Sequence, residues 1–256
     1  MPLQAAEPRR LYRHIAAQLR TLIQRGDYAV GTRLPAEREL ASRLEVSRPS
    51  VREALIALEV EGFVEVRPGS GIHVIAHKRA PSARRIAASA FGPFEVIRAR
   101  QLIESELAAV AAKRADKAQV AALREAIVTM KNDIAADIAP IRGDRLFHIG
   151  IAAAADNGPL LRTVGELFDE RHNALFEQFG QHFENGRSWR KAVLEHQAVI
   201  TAISNGDAGA ARLAMHAHLQ HSQDRLARAW PQPSAARGAR SRAGVVLKPD
   251  RMDIAP

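Results

Sequence analysis

Apolar residues recur at helical spacing from the start of the chain. Leu11, Ile15, Leu19, Leu22 and Ile23 share one helical face, and Gly26 offers a stop. The pattern then shortens. Glu37 to Leu44 predicts a helix with Leu40, Ala41 and Leu44 inward and Arg38 outward, and Val51, Ala54, Leu55 and Leu58 form one stripe on a second helix. Only Glu45 and Val46 separate these helices before Ser47, a good N-cap, so residues 34 to 63 read as a helix-turn-helix with a hydrophobic exit. Phe63 to Arg67 alternates, Pro68-Gly69-Ser70-Gly71 supplies turn chemistry, and Ile72 to Ile75 returns, which predicts a hairpin wing. The first turn of the second helix carries Arg48, Ser50 and Arg52, side chains suited to phosphates and base edges, at the end whose unpaired amides favour anions. The expected ligand is duplex DNA, with the wing-tip backbone at Gly69 free to approach it closely.

Beyond the wing the pattern changes. Residues 76 to 93 mix basic, small, Pro and Gly residues without a sustained period and read as a linker, with one helical turn around Arg84 to Ala90. From Phe94 onward nearly everything fits helices, placed near 94–114, 116–136, 140–155, 158–182, 189–204 and 207–229. Asp116 and Asp207 are the expected N-caps, and Gly180, Gly186 and Gly206 the expected punctuation. The fold class is therefore mainly α: an N-terminal winged helix-turn-helix domain and a C-terminal all-α bundle of six to seven helices. The expected boundaries are a disordered N-terminus at 1–10, the DNA-binding domain at 11–76, a linker at 77–93, the helical domain at 94–230 and a disordered basic tail at 231–256.

Composition sharpens this picture in two places. The chain has no cysteine, no stretch of roughly 20 apolar residues and no apolar core in its first residues, so the expected setting is the cytoplasm, with no membrane partner. The net charge of +9 splits into +3 for residues 1–78, +2 for 79–227 and +4 for 228–256. Charge alone thus does not argue for nucleic-acid binding, and the helix-turn-helix pattern has to carry that inference.

In the helical domain, Asp144 and His148 stand one turn apart on one helix face. His196 sits among Val193, Val199 and Ile200, and His218 shares a stripe with Ala211 and Met215. Three imidazoles and a carboxylate converging inside a bundle suit Zn²⁺, Ni²⁺ or Mn²⁺. From spacing alone the signal is weak, since a lone buried histidine is more often hydrogen-bonded core, and His216 and His221 compete with His218.

Two resemblances narrow these alternatives. Leu34-Pro35, Glu37-Arg38-Glu39-Leu40-Ala41, Val46-Ser47-Arg48, Val51-Arg52-Glu53-Ala54-Leu55, Gly62-Phe63 and Gly69-Ser70-Gly71 together resemble the winged-helix domain of the GntR superfamily. The resemblance implies DNA contacts at Arg38, Ser47, Arg48, Ser50, Arg52 and Gly69. Asp144-Arg145-Leu146-Phe147-His148, Glu195-His196 and Met215-His216-Ala217-His218-Leu219 resemble the FCD effector domain of the FadR-like group. That likeness implies a divalent metal, zinc first with nickel or manganese as alternatives, on Asp144, His148, His196 and His218. Arg100 matches the Arg-x-x-x-Glu of the group's first effector helix and Asn157 the Asn after its metal helix, so both are expected at the effector. The stretch PFEVIRARQLIESELAAVAA further resembles the hexuronate-responsive repressors of this group. The implied function is a homodimeric, non-enzymatic regulator, read as a repressor, that binds a palindromic operator and answers to a small carboxylate. The competing class is a metal-dependent enzyme acting on a sugar acid, with an appended DNA-binding domain. Against it stands the lack of HExxH, a nucleophile elbow or a separate motif-placed base.

Overall fold

The structure, a computed structural model, describes residues 11–67, 69–75 and 91–228. The chain divides into two compact units between residues 86 and 87. The expected N-terminal segment, the helical turn at 84–90 and the basic tail lie outside the described residues.

The first unit builds α1 (Leu11–Arg25), α2 (Glu37–Arg43), α3 (Arg48–Val60), β1 (Val64–Arg67) and β2 (Gly71–Val74). Helix α1 turns Tyr12, Ile15, Ala16 and Leu19 onto α3, whose Val51, Ala54, Leu55 and Leu58 are fully buried. Gly26 ends α1 with φ +85, a conformation that glycine adopts without strain. The α2–α3 turn passes through Glu45 at φ +53. Ser47 then caps α3, its hydroxyl accepting from the Ser50 N–H at 3.3 Å. Strands β1 and β2 pair antiparallel, Val64 opposite Val74 and Val66 opposite Ile72. The segment at 31–34 joins them on the other side of β2: Leu34 N donates to Ile72 O and Gly31 N to Val74 O, each at 2.8 Å.

The second unit holds α4 (Pro93–Arg114), α5 (Lys117–Ala135), α6 (Ile141–Ala154), α7 (Gly158–Asp169), α8 (Ala174–Phe183), α9 (Gly186–Ser204) and α10 (Ala208–Arg228). Helix α4 lies along α10 and also packs on α6, α7 and α9. Buried alanines at 108, 111, 152 and 211 allow that close approach. Gly143 does the same for α5 and α6, since a Cβ there would stand 2.5 Å from Met130 Cγ and 2.7 Å from the Ala126 carbonyl oxygen. Asp116 opens α5 with a capping box to Gln119, and the Asp207 carboxylate accepts from the Ala210 N–H at 2.9 Å at the start of α10.

One expected helix is two. The span 158–182 breaks after Asp169 into a short 3-10 turn at Glu170–His172 and restarts at Asn173, whose side-chain oxygen accepts from Leu175 N and Phe176 N at 3.0 Å each. An Asn that satisfies the first amides of a new helix competes with continuation of the old one. Gly180 accordingly lies inside α8 rather than ending a helix. Asn185 caps α9 with a box to Ser188, so Gly186 is that helix's first residue and α9 begins earlier than the expected 189. Gly206, at φ +72, does terminate α9.

Candidate metal centre and nucleic-acid interface

Of the side chains expected to meet DNA, Arg38 and Ser47 are exposed, Arg48 is half-exposed, and the Ser50 hydroxyl lies 2.8 Å from that of Ser47. Gly69 has φ +72 and open space where a Cβ would stand. Arg52 departs from expectation. It is 2% exposed and grips Glu37, itself buried, through Nε to Oε2 at 2.9 Å and Nη2 to Oε1 at 3.0 Å. The cause is helical spacing: Arg52 follows Val51 and precedes Ala54 on the flank of α3 that packs on α2, so its guanidinium braces the two helices. Arg48 Nε donates to the same carboxylate at 2.8 Å while the rest of its side chain stays at the surface.

In the second unit, α6 presents Asp144 and His148, α9 presents His196 and α10 presents His218. One donor atom from each lies within 4.8 Å of all the others. Asp144 Oδ1 is 3.5 Å from His148 Nε2 and 3.3 Å from His196 Nε2, and the two imidazole Nε2 atoms are 3.3 Å apart. Metal–ligand bonds of about 2.1 Å to N and O place neighbouring donors of a tetrahedral site about 3.4 Å apart, which Asp144, His148 and His196 match, with a donor of His218 within 4.8 Å. The three imidazoles are buried, with Phe147 against His196 and Phe168 against His148. His216 is exposed and His221 half-exposed, which leaves His218 as the imidazole of α10 in the cluster.

The surroundings orient the donors. His148 Nδ1 donates to Glu104 of α4, and His218 Nδ1 donates to Glu195 Oε2 at 2.9 Å, which leaves both Nε2 atoms to face the cluster. Carboxylates behind metal-binding histidines fix ring orientation and raise basicity. Burial pushes Glu104 up, but Arg100 and then His148 outweigh it and hold the carboxyl at about 2. Asp144 likewise stays well below the usual carboxylate range, its burial outweighed by His148 and then Arg171. Burial, reinforced by the charge of His218, keeps His196 well below the ordinary imidazole value. Burial pulls His148 down, but Glu104 and Asp144 together outweigh it and raise its pKa.

A cavity of about 80 Å³ opens beside the cluster, lined among others by Arg100, Asp144, Arg171, Trp189 and Arg225. Arg100, 4% exposed, pairs through Nε with Glu104 at 2.6 Å, whereas Arg98 is exposed. Arg171 ties Asp144 Oδ2 (2.7 Å) to Glu184 (3.1 Å), and Arg225 holds Glu195. Asn157 does not line this cavity. Its exposed side chain caps α7, accepting from Leu160 N at 3.1 Å, so its requirement is local geometry. Arg171 and Trp189 went unforeseen: the first sits in the 3-10 break that periodicity reads as continuous helix, and the second is a lone aromatic at a helix start. The one available signal was chemical, since a partly buried indole N–H needs an acceptor.

Residues 11–74 match the family described as bacterial regulatory proteins, gntR family, and residues 95–221 match the FCD domain. The chain is 38% identical to the Exu regulon transcriptional regulator of Escherichia coli (strain K12), over 86% of each chain. It is 35% identical to the Uxu operon transcriptional regulator of the same organism, over 87% of this chain and 89% of that protein. The Uxu operon regulator of Haemophilus influenzae is 34% identical over 85% of this chain and 82% of its own length.

Proposed function

Since the chain belongs to the gntR family of bacterial regulatory proteins, carries an FCD domain and is a DNA-binding transcriptional regulator rather than an enzyme, we propose that it is a repressor whose operator complex is released by a hexuronate bound beside a divalent metal. The observation that carries this reading is the cluster of Asp144, His148, His196 and His218 opening onto a cavity with a buried arginine, Arg100. The names of the Exu and Uxu relatives support a hexuronate as the acid.

Those four side chains would hold the ion, zinc first and nickel or manganese as alternatives, and it would supply a Lewis-acid position for oxygen ligands. Arg100 anchors a second oxygen of the acid. Glu104 and Glu195 are engaged by Arg100, His148, His218 and Arg225, so neither stands as a free general base. Binding without turnover follows from that arrangement.

At the other unit, Arg38, Ser47, Arg48, Ser50 and the Gly69 backbone face the operator. One reader of this size touches too few bases to find a site in a genome, so two copies bind a palindrome as a homodimer. The acid releases DNA only through unequal affinity for two states of that dimer. A coupling of about 1–3 kcal/mol changes operator affinity roughly 5- to 150-fold. No helix among the described residues is long and apolar enough to cross a membrane, and the cytoplasm is the compartment where these partners meet.

Metal content and thermal shift test the site. Purified protein should carry close to one divalent ion per chain and melt higher with D-glucuronate or D-galacturonate present. Chelated protein should lose that response. Metal-loaded protein indifferent to both acids would contradict the reading.

A further inference from the structure

The polar lining of the cavity beside the metal cluster is mostly committed. Arg171 is held by Asp144 and Glu184, Arg225 by Glu195, and Arg100 through Nε by Glu104. Two of the residues lining it each carry a buried donor with no acceptor, Arg100 Nη2 and Trp189 Nε1. They come from different helices, α4 and α9, and they are two of only five such side-chain atoms among the described residues. Folded proteins pair nearly all buried donors, so two orphans on residues that line one cavity point to acceptors supplied by a ligand.

The kinds of donor narrow the ligand. A guanidinium N–H gains most by donating to a carboxylate oxygen. An indole N–H is a neutral donor without that charge assistance, which leaves it suited to a hydroxyl or ring oxygen.

We propose that Trp189 is a specificity-determining residue of the effector site: together with Arg100 Nη2 it donates to oxygens of a polyhydroxylated carboxylate and so selects such an acid over a short hydroxy acid. A short hydroxy acid has three oxygens, and once its hydroxyl and one carboxylate oxygen face the cluster a single oxygen remains for the two donors. Such an acid leaves Trp189 Nε1 without an acceptor. The proposal rests on the reading of this cavity as the effector site and adds to it the group that sets ligand class.

Two measurements on the full-length, zinc-loaded protein test this. The chain has two tryptophans, so its ¹⁵N spectrum holds two indole N–H signals, assigned by the one that Trp230→Phe removes. Saturating D-galacturonate should move the Trp189 signal downfield, and glycolate should leave it in place. Calorimetric titration of Trp189→Phe, which keeps the aromatic wall and removes only the donor, should weaken D-galacturonate about 5- to 150-fold and leave glycolate unchanged. An unmoved indole signal in a D-galacturonate complex, or equal loss of both ligands in Trp189→Phe, would overturn the role of Trp189 and leave the effector site standing. Failure of zinc-loaded wild type to bind either D-galacturonate or D-glucuronate would overturn both together. If Trp189→Phe does not fold, the indole shift in the wild type decides.

Discussion

Replacing Arg52 with Met separates two roles for one arginine, base reader and internal brace. The guanidinium and the Glu37 carboxylate are both buried, at 2% and 5% exposure, and they meet through bonds of 2.9 and 3.0 Å. Burial pulls the guanidinium below its ordinary pKa, with the charge of Glu37 pulling it back up. Removing one partner of a buried pair costs about 3–5 kcal/mol because the other charge is left uncompensated. Arg48 Nε still reaches Glu37 at 2.8 Å from a half-exposed position, which places the expected loss at the lower end, about 3 kcal/mol. At roughly 4–8 °C per kcal/mol for a domain of this size, the DNA-binding unit should melt roughly 12–24 °C lower. Combining Arg52→Met with Glu37→Leu should recover much of the loss, since no lone charge remains. Circular dichroism melts, with operator affinity measured where every variant is folded, make the comparison. If Arg52→Met melts like wild type but no longer discriminates its operator, the internal-brace argument is refuted and Arg52 reads bases.

Arg48→Ala should weaken operator binding by about 1–3 kcal/mol and relax base preference, whereas Arg38→Ala should mainly reduce the salt dependence, by about one unit of slope; competition binding at several salt concentrations separates the two. Glu104→Gln removes the charge behind His148 and should lower divalent-metal affinity roughly 10- to 100-fold in a chelator competition. Unchanged affinity would mean that Glu104 serves the fold alone. Gly143→Ala drives a methyl into Met130 and the Ala126 carbonyl and should cost about 1–3 kcal/mol in urea unfolding of the helical unit.

Some of this was legible in the residues, and the exceptions have physical causes. The stripe Val51, Ala54, Leu55 and Leu58, the Ser47 cap and the hairpin turn are local signals, set by spacing and by single-residue conformational preference. The Asp144–His148 pair is local too, since one helix turn places both on one face. The meeting of that pair with His196 and His218 is not. It depends on how α6, α9 and α10 pack, and spacing could not separate a cluster from isolated core histidines. Arg52 misled because a charged residue on a short helix is usually solvated, and only the burial of Glu37 eleven and fifteen positions before its two arginine partners turns it inward. Asn157 and Asn173 are both caps, the first expected at a ligand and the second hidden in an apparently continuous helix.

The central claim is that occupancy of the metal-side cavity controls operator binding, and fluorescence anisotropy of a labelled operator fragment tests it most directly. The operator complex is titrated with D-galacturonate and D-glucuronate using metal-loaded wild type, chelated wild type and His196→Ala protein. The account predicts release by at least one of these acids in the metal-loaded wild type alone, with operator affinity falling roughly 5- to 150-fold. Equal release from all three proteins, or a metal-loaded complex that holds its operator at saturating acid, would contradict it.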